Sequence, residues 1–310
     1  MDHRRIGSLS VSEVGLGCNN FGRRLDPTAT AAVVNAALDA GVNFFDTADI
    51  YGQGQSEEFL GRALGARRDE VVIATKFGGV MEGRGKGASP AYIRQAVQAS
   101  LRRLETDRID LYQLHYPDPE VPIEDTLGAL GELVEAGKVR EIGCSNFSVG
   151  QLREAAAVPG TAAYFVSVQN EYSLLHREPE DGVLDECERQ GLAFLPYFPL
   201  MSGLLTGKYR RGQEAPEGSR ITKEGRFADL LSDENLAIVE DLIRFAETRG
   251  RTILELAISW LLTRPTVASV ISGATSPGQV KANVDAAAWQ LSETELAEVD
   301  SIAMQGEGRS

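Results

Sequence analysis

Eight short apolar runs punctuate the chain: Val14–Gly17, Val42–Phe45, Val71–Thr75, Ile109–Leu114, Val139–Cys144, Phe165–Gln169, Leu192–Tyr197 and Ala268–Ile271. Their apolar residues are consecutive as well as alternate, the pattern of strands buried on both faces. Longer stretches of helical spacing separate them, and several carry start signals: Asp26-Pro27 before TATAAVVNAALDA, Ser89-Pro90 before AYIRQAVQASLRRL, and Ser276-Pro277 before GQVKANVDAA. Gly41, Gly137 and Gly191 fall where helices should stop, one or two residues ahead of the next strand. Strand and helix alternating eight times predict an α/β protein with a (β/α)₈ TIM barrel, because parallel crossovers need helices and closure removes both sheet edges. Arg4 to Val11 reads as a β-hairpin that plugs the bottom of the barrel. Two stretches depart from the repeat: the glycine-rich loop Gly78–Ala88 (GGVMEGRGKGA) and the long polar segment Met201–Ser232, both of a length associated with lids and ligand clamps. The tail from Leu291 is short and polar and is expected to add little enclosure.

Composition narrows the partners. With 310 residues and 43% apolar content the chain can bury a full core, and a single domain over 1–310 is the preferred reading. A net charge of −14, spread over helical faces, argues against nucleic acid and anionic membrane surfaces, so an anionic ligand has to be met by local cations. Cys18, Cys144 and Cys187 are odd in number and lack CxxC spacing, which indicates neither a disulfide framework nor a zinc site and suits a reducing, cytoplasmic setting. No apolar run has membrane-spanning length, and the N-terminus lacks the apolar core of a signal peptide.

Chemistry concentrates where strands end. The second strand runs into Asp46 and then Tyr51, the third ends on Lys76 and the fourth on His115. In a barrel these C-termini share one face, so the four side chains are expected to converge. A tyrosine titrates near ~10 in isolation; an adjacent ammonium favours the phenolate, so Lys76, held by Asp46, is expected to lower that value and make Tyr51 a proton donor. His115 would orient a carbonyl or relay a proton. Each has a plainer reading: Asp46-Thr47 as a turn cap, Tyr51 as a half-buried loop aromatic, His115 as a satisfied strand-end histidine. Lys76 resists it, since a lysine ending a buried strand is costly without a carboxylate partner.

Together these residues resemble the aldo-keto reductases. The match comprises D-T-A-x-x-Y-G at 46–52, the strand-end lysine and histidine, G-C-S-N-F at 143–147, Gln169, and P-Y-F-P-L-x-x-G-x-L-T-G-K at 196–208, and it covers nearly the whole chain. The resemblance implies NADPH-dependent reduction of aldehydes or ketones, with Tyr51 as general acid supported by Lys76, Asp46 and His115. It further implies a cofactor bed of Gly17, Cys18, Asn19, Asp46, Ser145, Asn146, Gln169, Tyr197, Phe198, Pro199, Leu200, Gly203, Lys208, Arg220, Gly273, Thr275, Gln279 and Asn283. In that bed Ser145, Asn146 and Gln169 would hold the nicotinamide carboxamide and Tyr197 would stack on the ring, while Lys208, Arg220 and the helix start at Ser276-Pro277 would meet the phosphates. Two departures, Ala282 where many relatives are acidic and Gly273 and Gln279 where some carry cations, leave NAD open beside NADP and make Arg220 the candidate for a 2′-phosphate contact. The competing reading of Arg220 is a solvated loop arginine.

Asn20, Phe21, Tyr51, His115, Tyr116 and Phe147, with Phe227, are candidates for a partly aromatic substrate pocket. Gly83, Gly85 and Ala88 spell GxGxxA but lie well beyond their strand, so a Rossmann reading fails its context. The three histidines, His3, His115 and His176, lack metal-ligand spacing, and no metal is expected. Cys18 and Cys144 lie near the mouth, where small buried cysteines are the commoner case and redox reactivity the alternative. The rival function is a nucleotide-binding redox sensor like the potassium-channel beta subunits that resemble this family. The substrate and the oligomeric state stay open.

Overall fold

A computed structural model describes residues 1–83 and 85–304; Arg84 of the glycine-rich loop and the residues after 304 lie outside the described part. An N-terminal hairpin, β1 (His3–Ile6) and β2 (Leu9–Ser12), precedes eight parallel strands: β3 (Val14–Gly17), β4 (Phe44–Asp46), β5 (Val72–Phe77), β6 (Ile109–Leu114), β7 (Val139–Ser145), β8 (Phe165–Glu171), β9 (Ala193–Tyr197) and β10 (Val270–Gly273). All eight expected strands are present, β3 and β6 with the expected ends and the other six with one or both ends moved by one or two residues. The strands pair in the order β10-β3-β4-β5-β6-β7-β8-β9, and the barrel closes between β9 and β10 through Phe194. Phe194 donates to Thr266 O at 2.7 Å and accepts from Ala268 N at 3.0 Å.

Helices α1 (Pro27–Asp39), α2 (Gln55–Leu64), α3 (Pro90–Arg103), α4 (Ile123–Glu135), α5 (Val149–Ala156) and α6 (Val183–Gln190) provide the first six crossovers. The Asx/Ser-Pro starts act as read: Asp26 caps α1 through Ala29 N and Ser89 caps α3 through Tyr92 N. The segment between β9 and β10 holds α7 (Arg220–Lys223), α8 (Asp233–Glu247) and α9 (Ile253–Leu262), and the chain continues after β10 into α10 (Pro277–Asp285) and α11 (Glu293–Ala303). The described part of the polar tail contains a helix, α11, packed on α8 outside the barrel, and α11 lines no part of the main cavity.

The strand period of two sorts side chains between two cores. Outward residues such as Phe45, Ile73 and Val168 join the layer under the helices. Inward residues Phe44, Val72, Ala74, Leu111, Ala193, Leu195, Ala268 and Ile271 fill the barrel together with Ile6, Leu9 and Val11 of the hairpin, so the hairpin is the plug expected from sequence. Above this apolar fill, the next inward positions are polar: Asp46, Lys76, Gln113, Ser145 and Gln169. Leu9→Ala should cost about 2–5 kcal/mol through the cavity it leaves at the barrel floor, measured by urea denaturation. A change at exposed Ser8 should stay within about 0.5 kcal/mol.

Candidate active site

At the C-terminal mouth Lys76 is almost completely buried, yet its Nζ donates to Asp46 Oδ2 at 2.5 Å and to Thr47 O at 2.9 Å. Asp46 is held from its other oxygen by Gln169 Nε2 at 2.9 Å and Gln113 Nε2 at 3.3 Å. Burial opposes the ammonium, but Asp46 and Tyr51 outweigh it and Lys76 is held above its ordinary value. Tyr51 opens a kinked turn, Tyr51–Gly54, in which Gly52 and Gln53 take left-handed backbone angles, with Lys76 Nζ 5.3 Å from the Tyr51 ring centroid. The backbone turns back sharply here: Gly54 lies at φ 100°, and a Cβ on it would come within 2.7 Å of Arg103 Cδ.

One expectation is corrected. The Tyr51 hydroxyl is raised above the ordinary phenol value, because burial favours the neutral form by more than Lys76 favours the phenolate. Lys76 does engage the hydroxyl and does pull it down, as anticipated, without prevailing. Tyr51 thus stays protonated at neutral pH, the form that a proton donor needs. His115, whose ring lies edge-on to Tyr51 at 6.0 Å, is pushed down to about 3 by burial and by Lys76, so its imidazole is neutral. Its Nδ1 is buried without a hydrogen-bond partner. A buried orphan acceptor costs less than a buried orphan donor, which favours the tautomer with its proton on Nε2. Tyr116 stacks on His115 at 4.5 Å and remains about half exposed.

From these groups a cavity of about 900 Å³ extends across the barrel mouth. Gly17, Cys18, Asn19, Asn20, Asp46, Tyr51, His115, Tyr116, Ser145, Asn146, Gln169, Tyr197, Phe198, Pro199, Leu200, Gly203, Lys208, Arg220, Gly273, Thr275, Gln279 and Asn283 all line it, with Lys76 beneath. The structure does not bring Phe21, Phe147 or Phe227 to its wall: Phe21 and Phe147 are buried in the helix-facing core, and Phe227 packs edge-on against Phe198. Asn146 has φ 62°, which breaks the strand alternation just before Phe147 and turns that ring outward against Phe165. Asn146 itself accepts from Tyr197 OH at 2.8 Å and donates to His115 O at 2.9 Å, tying the ends of β7 and β9 to the histidine. Phe198 and Ser202, at φ 51° and 55°, line the cavity too, in a backbone region that L-residues rarely occupy and that clusters at functional sites.

The far end is cationic. Lys208 is lowered by burial and by the nearby Arg24 and Arg220, so three positive charges crowd one wall of an acidic protein. Arg220 is no solvated loop residue: its guanidinium lies over Phe198 and Phe227 at 5.1 and 5.2 Å and 3.6 Å from Glu224. Arg23 and Arg24 line the cavity but carry no sequence signal beyond an Arg-Arg pair in a loop. Segment 216–220 lines this end, together with Ser202, Gly203, Thr206 and Lys208 from the same Met201–Ser232 stretch. Cys18 and Cys144 are both buried with thiols raised well above the ordinary value, chiefly by desolvation, which makes them poor nucleophiles. Among the described residues no group of His, Cys, Asp and Glu is placed to hold a metal ion, and no helix is long and apolar enough to cross a membrane.

By fold and site the protein is a barrel oxidoreductase. It belongs to the aldo/keto reductase family, whose sequence model matches residues 13–304. It is 36% identical over 303 residues to the aldo-keto reductase YhdN of Bacillus subtilis, covering 95% of this chain and 90% of the relative. It is also 36% identical over 300 residues to a probable voltage-gated potassium channel subunit beta of Oryza sativa, covering 92% and 91%. The solved glycerol dehydrogenase of Gluconobacter oxydans superposes with a TM-score of 0.86 at 32% identity, over all of this chain and 97% of the other.

The geometry makes one energetic claim testable. Asp46→Ala should destabilise the fold by about 3–5 kcal/mol by stranding the Lys76 charge, and replacing both partners (Asp46→Asn with Lys76→Met) should cost clearly less. Denaturant titration of the three proteins checks this, and equal losses for the single and double variants would refute it.

Proposed function

We propose that the protein reduces aldehydes or ketones to alcohols with a nicotinamide dinucleotide as hydride donor, NADPH in preference to NADH. The observation carrying this reading is the buried Asp46–Lys76 pair set beneath a protonated Tyr51 and beside a neutral His115. The cavity suits a dinucleotide: its wall runs from Tyr51 and His115 to Gly273, Thr275 and Gln279, and one end is cationic through Arg24, Lys208 and Arg220. When bound there, the nicotinamide would supply the hydride. Ser145, Asn146 and Gln169 would orient its carboxamide, Tyr197 would face its ring, and Gly273, Thr275, Gln279 and Asn283 would hold the adenosine end.

His115 donates from Nε2 to the substrate carbonyl oxygen and fixes its direction. Tyr51 passes its proton to that oxygen as negative charge develops there, and Lys76, kept cationic by Asp46, stabilises the phenolate left behind. A mutagenesis test follows: Tyr51→Phe should lower carbonyl-dependent NADPH oxidation by about 10²–10⁴-fold with nucleotide binding, followed by fluorescence quenching, preserved. Unchanged turnover in that variant would overturn the reductase reading and favour nucleotide binding without catalysis, the reading that the likeness to a channel beta subunit raises.

Cofactor preference turns on Arg220. Losing one charged contact to a phosphate is worth about 1.5–3 kcal/mol, so Arg220→Ala should raise the KM for NADPH by roughly ten- to a hundredfold and that for NADH much less. Steady-state kinetics with the two nucleotides decide it, and an equal rise for both would remove Arg220 from 2′-phosphate recognition.

A further inference from the structure

Behind the Tyr51 turn lies a second set of buried charges that the proposed reaction does not use. Asp49, two residues before Tyr51, is 2% exposed. Its backbone N–H donates to Lys76 O at 3.1 Å, which ties the start of the turn to β5. Around it stand Glu57 from α2, Arg103 from α3, Tyr112 from β6 and, on the cavity side, Lys76 from β5; Tyr92 of α3 lies close to Tyr112. Glu57 is fully buried and its oxygens are taken, accepting from Thr75 Oγ1 at 2.6 Å and from Arg103 Nε at 2.7 Å. The one guanidinium in this pocket is thus committed to Glu57, and Lys76 is committed to Asp46. Asp49 Oδ1 and the Tyr112 hydroxyl are both buried and have no hydrogen-bond partner.

Two carboxylates facing one arginine in a dry pocket cannot both ionise cheaply, and Asp49 is the less supported of the two. We propose that Asp49 is a positioning residue for Tyr51: it exchanges a proton in the working pH range, and its charge state, felt through the turn and through Lys76, sets the acidity of the Tyr51 hydroxyl. This rests on Tyr51 being the proton donor. Burial and the charge of Glu57 push the Asp49 carboxyl up to about 7, against the weaker pull of Arg103 and Lys76. When Asp49 loses its proton, the added negative charge beside Lys76 counteracts that ammonium and makes Tyr51 a weaker acid.

Two readouts on Asp49→Asn, which keeps the shape and cannot ionise, test this. The first is stability. The folded-state value lies above the ordinary 3.8 of the unfolded chain, so the folded chain alone keeps this proton between pH 3.8 and about 7. Stability from that source is complete at low pH and lost as pH rises through about 7. Relative to Asp49→Asn, the wild-type unfolding constant should therefore grow by at least about tenfold between pH 5 and 8. The second readout is kcat for carbonyl reduction, which should step down by roughly threefold or more near pH 7 in the wild type and lose that step in the variant.

Glu57→Gln provides a second variant should Asp49→Asn fold poorly. With the repelling charge gone and Arg103 released toward Asp49, the step should move to lower pH. A kcat step that Asp49→Asn retains, or that Glu57→Gln leaves in place, overturns the proposal. So does a wild-type-to-variant stability ratio that is flat with pH. Tyr51→Phe turnover tests the reductase reading separately, and the stability measurement needs no turnover, so the two failures are distinguishable.

Discussion

Lys76 is a full positive charge where the barrel admits almost no water, and the rest of the site is arranged around keeping it there. Removed from solvent, an ammonium would shed its proton unless opposite charge lay within contact distance. Asp46 provides that charge at 2.5 Å, and Gln113 and Gln169 donate to its other oxygen, which would otherwise be a buried acceptor left unmatched. Four strands thus contribute to one ionic unit, and the register of the parallel pairs brings it together. Gly17 stands opposite Asp46 and Lys76 opposite Gln113, so a one-residue slip would turn the lysine out toward the helices.

That dependence on register explains the division of the barrel interior. The lower inward positions are apolar and packed on the hairpin, which makes the floor dry and stiff. The upper inward positions are polar and satisfied mostly by one another. The stiff floor matters because the Asp46–Lys76 unit acts on Tyr51 only at its observed distance. A loosely filled barrel would let water in beneath Lys76 and weaken its hold on the phenol through dielectric screening alone.

Much of this was legible in the chain because it depends on strand ends and helix starts, features written locally. Asp46, Lys76 and His115 close apolar runs, and Ser89-Pro90 and Ser276-Pro277 cap helices where their chemistry requires. Parity failed where the backbone leaves the strand: Phe147 follows a left-handed Asn146, so counting alternate positions through it misdirects the ring, and Phe21 follows Asn20 into a loop that folds onto the core. Helix α11 leaves little signal in the sequence because it buries only a narrow stripe, Val299 and Ala303. Arg23 and Arg24 are site residues only through the fold, since nothing in an exposed Arg-Arg pair says which cavity it borders.

The balance at Tyr51 was beyond any reading of the sequence, because it is a difference between two large effects that both follow from burial. The same desolvation that strengthens the pull of Lys76 on the phenolate also penalises the phenolate itself, and here the penalty is the greater. A stronger lysine would not alter the resting state much, for the ammonium is already complete. What remains adjustable is the charge behind the lysine. Asp46 is fixed by two glutamines, while Asp49 feels the same ammonium and has one oxygen unmatched. Of the two carboxylates near Lys76, the one outside the cavity is therefore the one whose protonation can vary without dismantling the site.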